Sequence, residues 1–220
     1  MDKIHKFVIN LKRRPDRLET FQKNCPFDDV EIIYGFDGKN INAEPSIQER
    51  QSIDRFRNLR NGEIGVFISH LRIFKTIVEN HYPMALIFED DAIFCDNFLD
   101  KFNNILKKIP SDADILYVGG RFTPDYCMRD GTMVSNNIIR HNINNKRWLG
   151  SSMDKDRTMH AYIISFNLAK ICLDNYNSSI IINNAVDAWL LNICLDNSIN
   201  IYNSYPLLCH SPLISNSDIR

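Results

Sequence analysis

The sequence predicts a single domain of the α/β class, and three observations carry that expectation. Strand-like and helix-like segments alternate along the first half of the chain. Met84-Ala85-Leu86-Ile87-Phe88 is an unbroken apolar run of strand length, the pattern of a strand covered on both faces. Ile64, Phe67, Ile68, Leu71, Phe74, Ile77 and Val78 recur every three or four residues and mark the longest helix, Glu63 to Asn80. A length of 220 residues suits one such domain spanning 1–220.

The elements follow in order. His5 to Asn10 reads as a strand and Pro15 to Asn24 as a short helix, with proline suited to its first turn. Val30 to Tyr34 is a second strand, ended by the turn Gly35-Phe36-Asp37-Gly38. After the long helix and the Met84 strand, Asp96 is placed to cap a helix over Asn97 to Lys108. Ala113 to Val118 is another buried strand, closed by Gly119-Gly120. Residues 121–157 are polar, Asn-rich and poorly periodic, and loops of that length often bind ligands or act as lids. Order resumes with the strand Ala161 to Ser165, helices near Leu168 to Tyr176 and Val186 to Asp196, and an extended tail from Tyr205 to His210.

Composition excludes several function classes. Lys plus Arg is 26 against 27 Asp plus Glu, a net charge of −1, so no global field recruits nucleic acid or an anionic membrane. No stretch approaches eighteen apolar residues, so no membrane-spanning helix is expected. Met1 to Lys6 leads straight into Phe7-Val8-Ile9 without a leader-like apolar core. The expectation is a cytoplasmic chain, or a domain separated from a longer one. The six cysteines (Cys25, Cys95, Cys127, Cys172, Cys194, Cys209) include no CxxC pair, which argues against zinc-knuckle or thioredoxin-type sites.

Five groups of residues have chemical potential. Glu89-Asp90-Asp91 directly follows a buried strand, at the edge where open α/β sheets bind ligands. Adjacent carboxylates repel, and magnesium or manganese would relieve that repulsion; a solvated acidic turn is the competing reading. Asn10-Leu11-Lys12-Arg13-Arg14-Pro15-Asp16-Arg17 joins the first strand to the first helix, where guanidinium groups and a helix N-terminus favour a diphosphate, or simply a solvated basic turn. Gly62-Glu63-Ile64-Gly65 with Ser69-His70 permits close approach of a ligand or of another element, and Glu63 and His70 share a helix face. Asp187, between apolar Val186 and Trp189, is either a general base with a raised pKa or a carboxylate serving a helix N-terminus. His210 is either a metal ligand or a surface histidine.

Together these pieces resemble glycosyltransferase family 25, which includes bacterial lipooligosaccharide galactosyltransferases and procollagen galactosyltransferase-type domains. The matching pieces are Val8-Ile9-Asn10-Leu11, Arg13 to Arg17, Phe36-Asp37-Gly38, Gly62 to His70, Ala85 to Ala92, Ala161 to Ser165, Ala185-Val186-Asp187 and Ser215 to Ile219. The resemblance implies a single-domain A-type glycosyltransferase fold with a Rossmann-like mixed sheet, a UDP-sugar donor, Mn2+ (or Mg2+) and inversion at the anomeric carbon. It implies an acceptor hydroxyl on a glycan, a lipid-linked sugar or a collagen-like chain, with galactose or glucose transferred. Carried onto this chain, it makes Asp91, Glu89 and His210 the metal ligands, His210 standing where Gln is expected. Asn10, Leu11, Arg13, Arg17, Asp37, Ser69, His70, Glu89 and Asp90 would surround the donor. Asp187 is the candidate base and Glu63 the reserve. Residues 121–157 match nothing well and are expected on the acceptor side. The alternative is a non-catalytic nucleotide-sugar-binding module of a larger enzyme. A nucleotidyltransferase ranks lower because the turn from Asn10 to Arg17 has no glycine.

Overall fold

The computed structural model describes residues 4–41, 53–120, 131–141 and 158–211. The expected α/β class is what the chain adopts. Its strands are β1 (His5–Asn10), β2 (Glu31–Tyr34), β3 (Met84–Glu89), β4 (Ile93–Phe94), β5 (Ile115–Tyr117), β6 (Gly119–Gly120), β7 (Gly131–Ser135), β8 (Ile138–His141), β9 (Ala161–Ser165), β10 (Ile201–Ser204) and β11 (Cys209–His210). Its helices are α1 (Pro15–Asn24), α2 (Asn61–Glu79), α3 (Phe98–Leu106), α4 (Phe166–Ser178) and α5 (Val186–Asp196). An eight-stranded mixed sheet runs β2-β1-β3-β9-β5-β10-β8-β7, and a small sheet runs β4-β11-β6.

Alternation within β3 explains its unbroken apolar run. Ala85 and Ile87 enter one core with α2, α4 and α5, while Leu86 and Phe88 enter a second core with Phe21 of α1 and Phe98 and Phe102 of α3. The sheet is therefore covered on both faces, and every residue from Ala85 to Phe88 must be apolar. The direction of pairing matters more for the site. β3 runs parallel to β1 but antiparallel to β9, with Phe88 opposite Ala161. The end of β3 thus meets the start of β9.

Two glycines bring α2 against the turn after β2. A methyl on Gly65 would lie 2.7 Å from the Phe36 carbonyl oxygen and 2.9 Å from the Gly38 nitrogen. A methyl on Gly38 would lie 2.0 Å from the Asn61 carbonyl oxygen. Of the two uses open to Gly65, the structure shows the approach of another element. Ser69 fastens the same contact: its hydroxyl accepts from Phe36 N at 2.8 Å and donates to Gly65 O at 2.6 Å.

Several expectations needed adjustment. Asp96 does not cap α3; the helix follows Asn97, whose φ of 53° turns the chain sharply, a conformation Asn tolerates better than most residues. Asn136-Asn137 forms the connection of the β7–β8 hairpin inside a region that looked like loop. β10 also escaped the sequence reading because its buried pattern includes Asn203 and Ser204. Residues 121–130 and 142–157 of the acceptor-side region, Cys127, and the motif Ser215 to Ile219 lie outside the described residues. Cys172 and Cys194 are buried and are not joined in disulfides. Among the described residues, no helix is long and apolar enough to cross a membrane.

Candidate functional site

Three strand ends meet at one edge of the large sheet. β1 finishes at Asn10 and β3 at Glu89, side by side in parallel register. β9 begins just after His160, whose carbonyl accepts from Glu89 N at 2.9 Å. A turn closed by Ala92 N donating to Glu89 O at 3.1 Å carries Asp90 and Asp91.

The carboxylates in this turn have distinct partners. Asp90 accepts from Asn10 Nδ2 at 2.6 Å and pairs with Arg17. Arg17 Nη2 also reaches Asp91 Oδ2 at 2.9 Å. Glu89 Oε2 faces His160 Nδ1 at 2.8 Å, and Glu89 Oε1 lies 3.6 Å from His70 Nε2. His160 Nδ1 is 3.4 Å from Asp91 Oδ1. Glu89, Asp91 and His160 can each present a ligand atom within 4.8 Å of the others. Asp91 Oδ1 is buried and takes no hydrogen bond among the described residues. A buried carboxylate oxygen without a hydrogen bond is costly, and a cation satisfies it. This donor set of two carboxylates and an imidazole fits a divalent metal.

The charges respond to this crowding. Burial pushes Asp90 up to about 6, against the pull of Arg17 and Asn10, and the neighbouring Asp91 and Glu89 add to the rise. Burial also opposes the charge on Glu89, but His160 and then His70 outweigh it and hold that carboxyl well below its usual range. Burial disfavours charge on His160 too, yet the carboxylates of Glu89 and Asp91 raise it to about 10. At neutral pH and without metal, a proton on His160 therefore balances the acidic group.

A cleft opens beside these side chains. Of the expected donor residues, Leu11, Arg13, Arg17, Asp37, Ser69, His70, Glu89 and Asp90 line it, together with Asp91. Asn10 stands behind, bracing Asp90 and donating to Arg14 O at 2.9 Å. Asp37 accepts from Arg13 Nε at 2.8 Å, Lys39 N at 3.0 Å and Asn40 Nδ2 at 3.1 Å, so it shapes the wall and aims Arg13.

Besides Asn10, three expected site residues are not among those lining the cleft. Glu63 forms a capping box with Arg60, accepting from Arg60 N at 2.8 Å and from its guanidinium at 3.0 Å. Those contacts lower its pKa, the opposite of what a general base near neutrality needs. Asp187 occupies the first turn of α5, where its Oδ1 accepts from Ala188 N at 2.9 Å. His210 is exposed on β11, opposite Ile93 of β4 and Gly120 of β6. The histidine grouped with the carboxylates is His160, which sequence reasoning missed. Its position before the recognised strand at Ala161 was the available signal. Only the antiparallel direction of β9 turns that position into a site residue.

A strand-edge acidic cluster beside an arginine-bearing cleft is suited to a cation and an anionic ligand together. The comparisons specify the family. The family model described as "Glycosyltransferase family 25 (LPS biosynthesis protein)" matches residues 3–190. This chain belongs to glycosyltransferase family 25. It is 30% identical over 128 residues to "Procollagen galactosyltransferase 2" of Mus musculus, covering 51% of this chain and 20% of that protein. It is 26% identical over 195 residues to "Procollagen lysyl hydroxylase and glycosyltransferase" of Acanthamoeba polyphaga mimivirus, covering 80% of this chain and 20% of that protein. It is also 29% identical over 128 residues to "Inactive glycosyltransferase 25 family member 3" of Homo sapiens, covering 51% of this chain and 21% of that protein. The matches thus span about a fifth of the length of these relatives. Among solved structures, mouse "Xyloside xylosyltransferase 1, apo form" aligns with a TM-score of 0.42 and 8% identity, covering 90% of this chain and 83% of that one.

Proposed function

We propose that this domain transfers a hexose, galactose or glucose, from a UDP-sugar to an acceptor hydroxyl with inversion at the anomeric carbon. The observation that carries the proposal is the convergence of Glu89, Asp91 and His160 beside a cleft lined by Arg13 and Arg17. Family membership supports the transfer of a sugar, and the names of the procollagen relatives favour galactose and a collagen-like acceptor. A glycan or a lipid-linked sugar remains within the proposal for the acceptor.

Glu89, Asp91 and His160 would hold a divalent cation, which supplies positive charge opposite a departing diphosphate. Two oxygen donors suit manganese or magnesium, and the imidazole favours manganese of the two. Arg17 bridges Asp90 and Asp91 and can turn its guanidinium toward phosphate oxygens. Arg13, held by Asp37, presents a second cation from the same wall. A carboxylate takes the acceptor's hydroxyl proton as its oxygen bonds to the anomeric carbon and the bond from that carbon to UDP breaks. Asp187 is proposed for that role. Glu63 remains the reserve, although its capping contacts must first open.

The test is UDP release across a panel of UDP-sugars, with manganese and with chelator. Release from one donor, abolished by chelator, supports the reading and names the sugar. Absence of donor binding by calorimetry would overturn it. The relatives named inactive favour one second reading, a recognition module that binds the nucleotide sugar without turnover. Donor binding without UDP release, with acceptors supplied, would select that reading.

A further inference from the structure

Two imidazoles reach Glu89 from different elements. His160 meets Oε2 from the start of β9. His70 approaches Oε1 from α2, with Nε2 at 3.6 Å, and its Nδ1 lies 2.8 Å from the hydroxyl of Tyr162 on β9. His70 and Tyr162 are both 0% exposed. His70 Nε2 has no hydrogen bond among the described residues, and its ring borders the cleft. Neither Tyr162 nor its contact with His70 has a place in the proposed function.

A neutral imidazole has one proton to place. A proton on Nδ1 would point the Nε2 lone pair at an ionised carboxylate, two acceptors facing each other inside the fold. A hydroxyl donating to Nδ1 leaves the proton on Nε2, where it faces Glu89. The Tyr162 hydroxyl is a phenol, which has a proton to donate. Carboxylate ligands are themselves held by outer hydrogen bonds, and losing one weakens metal binding.

We infer that the Tyr162 hydroxyl fixes His70 as its Nε2–H tautomer, making His70 a donor that orients Glu89 for the cation. Tyr162 is thus a positioning residue two steps removed from the metal. The inference rests on the cation reading of Glu89, Asp91 and His160.

Nitrogen-labelled, metal-free protein tests the tautomer directly. The wild-type spectrum should show His70 with a protonated Nε2 and a bare Nδ1; the reverse overturns the inference. Manganese affinity by calorimetry tests the consequence. Tyr162→Phe keeps the ring and should weaken manganese binding about tenfold. His70→Gln places an amide donor near the Nε2 position and needs no partner at Nδ1. In that background Tyr162→Phe should cost no further affinity. An equal loss in both backgrounds would mean that the hydroxyl acts only through packing, and would refute the positioning role. Failure of the wild type to bind manganese would instead sink the cation reading, and the tautomer spectrum would still decide the Tyr162–His70 contact.

Discussion

Replacing His160 with Gln removes the imidazolium that balances Glu89 and Asp91 in the metal-free protein. Its side chain is 12% exposed and its Nδ1 lies 2.8 Å from Glu89 and 3.4 Å from Asp91. A rise from 6.5 to about 10 corresponds to about 5 kcal/mol favouring the protonated ring in the folded state. Breaking a buried pair by removing one partner costs ~3–5 kcal/mol, the same scale. The folded state keeps this proton where the unfolded chain has lost it, so the contribution is complete below pH 6.5. It declines as pH rises and is gone above about 10. Urea unfolding in chelator at pH 6, 7, 8 and 9 reads this out. Wild type should exceed His160→Gln by about 4 kcal/mol at pH 7, and the gap should narrow by more than half by pH 9. Subtracting the two proteins removes titrations they share. Parallel curves across this range would refute the pairing of His160 with the carboxylates. Manganese should reverse the trend, because His160 must lose its proton to become a ligand, so apparent affinity should rise with pH.

Four further outcomes follow from the same geometry. Asp91→Ala should abolish manganese binding measured by calorimetry, and unchanged affinity would remove Asp91 from the ligand set. Arg17→Gln deletes a cation shared by Asp90 and Asp91, so metal-only affinity should rise several-fold while UDP-sugar affinity falls; a shift of both in one direction would contradict the sharing. Gly65→Ala forces a methyl against the backbone at Phe36 and Gly38, costing about 1–3 kcal/mol in a denaturant melt and weakening donor binding; unchanged stability would contradict the close approach. Asp187→Asn should cut turnover at least a hundredfold with donor affinity retained, on the scale of a lost general base, and full turnover would end its assignment.

The family and the lining of the cleft were largely legible because they rest on short contiguous motifs. Asn10 to Arg17 and Glu89 to Asp91 each lie beside a strand end that hydrophobic patterning locates, and the fold brings the two motifs together. The glycines of Gly62 to Gly65 were visible as signals of close approach. Their partner was not, since Gly38 and Gly65 meet across residues distant in sequence. The β7–β8 hairpin and β10 were missed for a related reason. Their polar residues are accommodated by neighbouring strands, as where Tyr202 pairs with Arg140 and His141 bonds Asn203 at 2.6 Å.

Local apolar spacing by itself determined the α/β class, the two-sided burial of Met84 to Phe88 and the long helix packed over the sheet. Short-range charge patterning determined which turns bring acidic and basic side chains to the cleft. Only the tertiary structure decided that His160 and the carboxylates share a site and that His70 turns toward Tyr162. It also decided that Glu63 is committed to capping a helix. Periodicity specifies which face of an element is buried, whereas the direction in which β9 runs against β3 follows from packing of the whole sheet. That direction puts the start of one strand beside the end of another, and the histidine beside the acids.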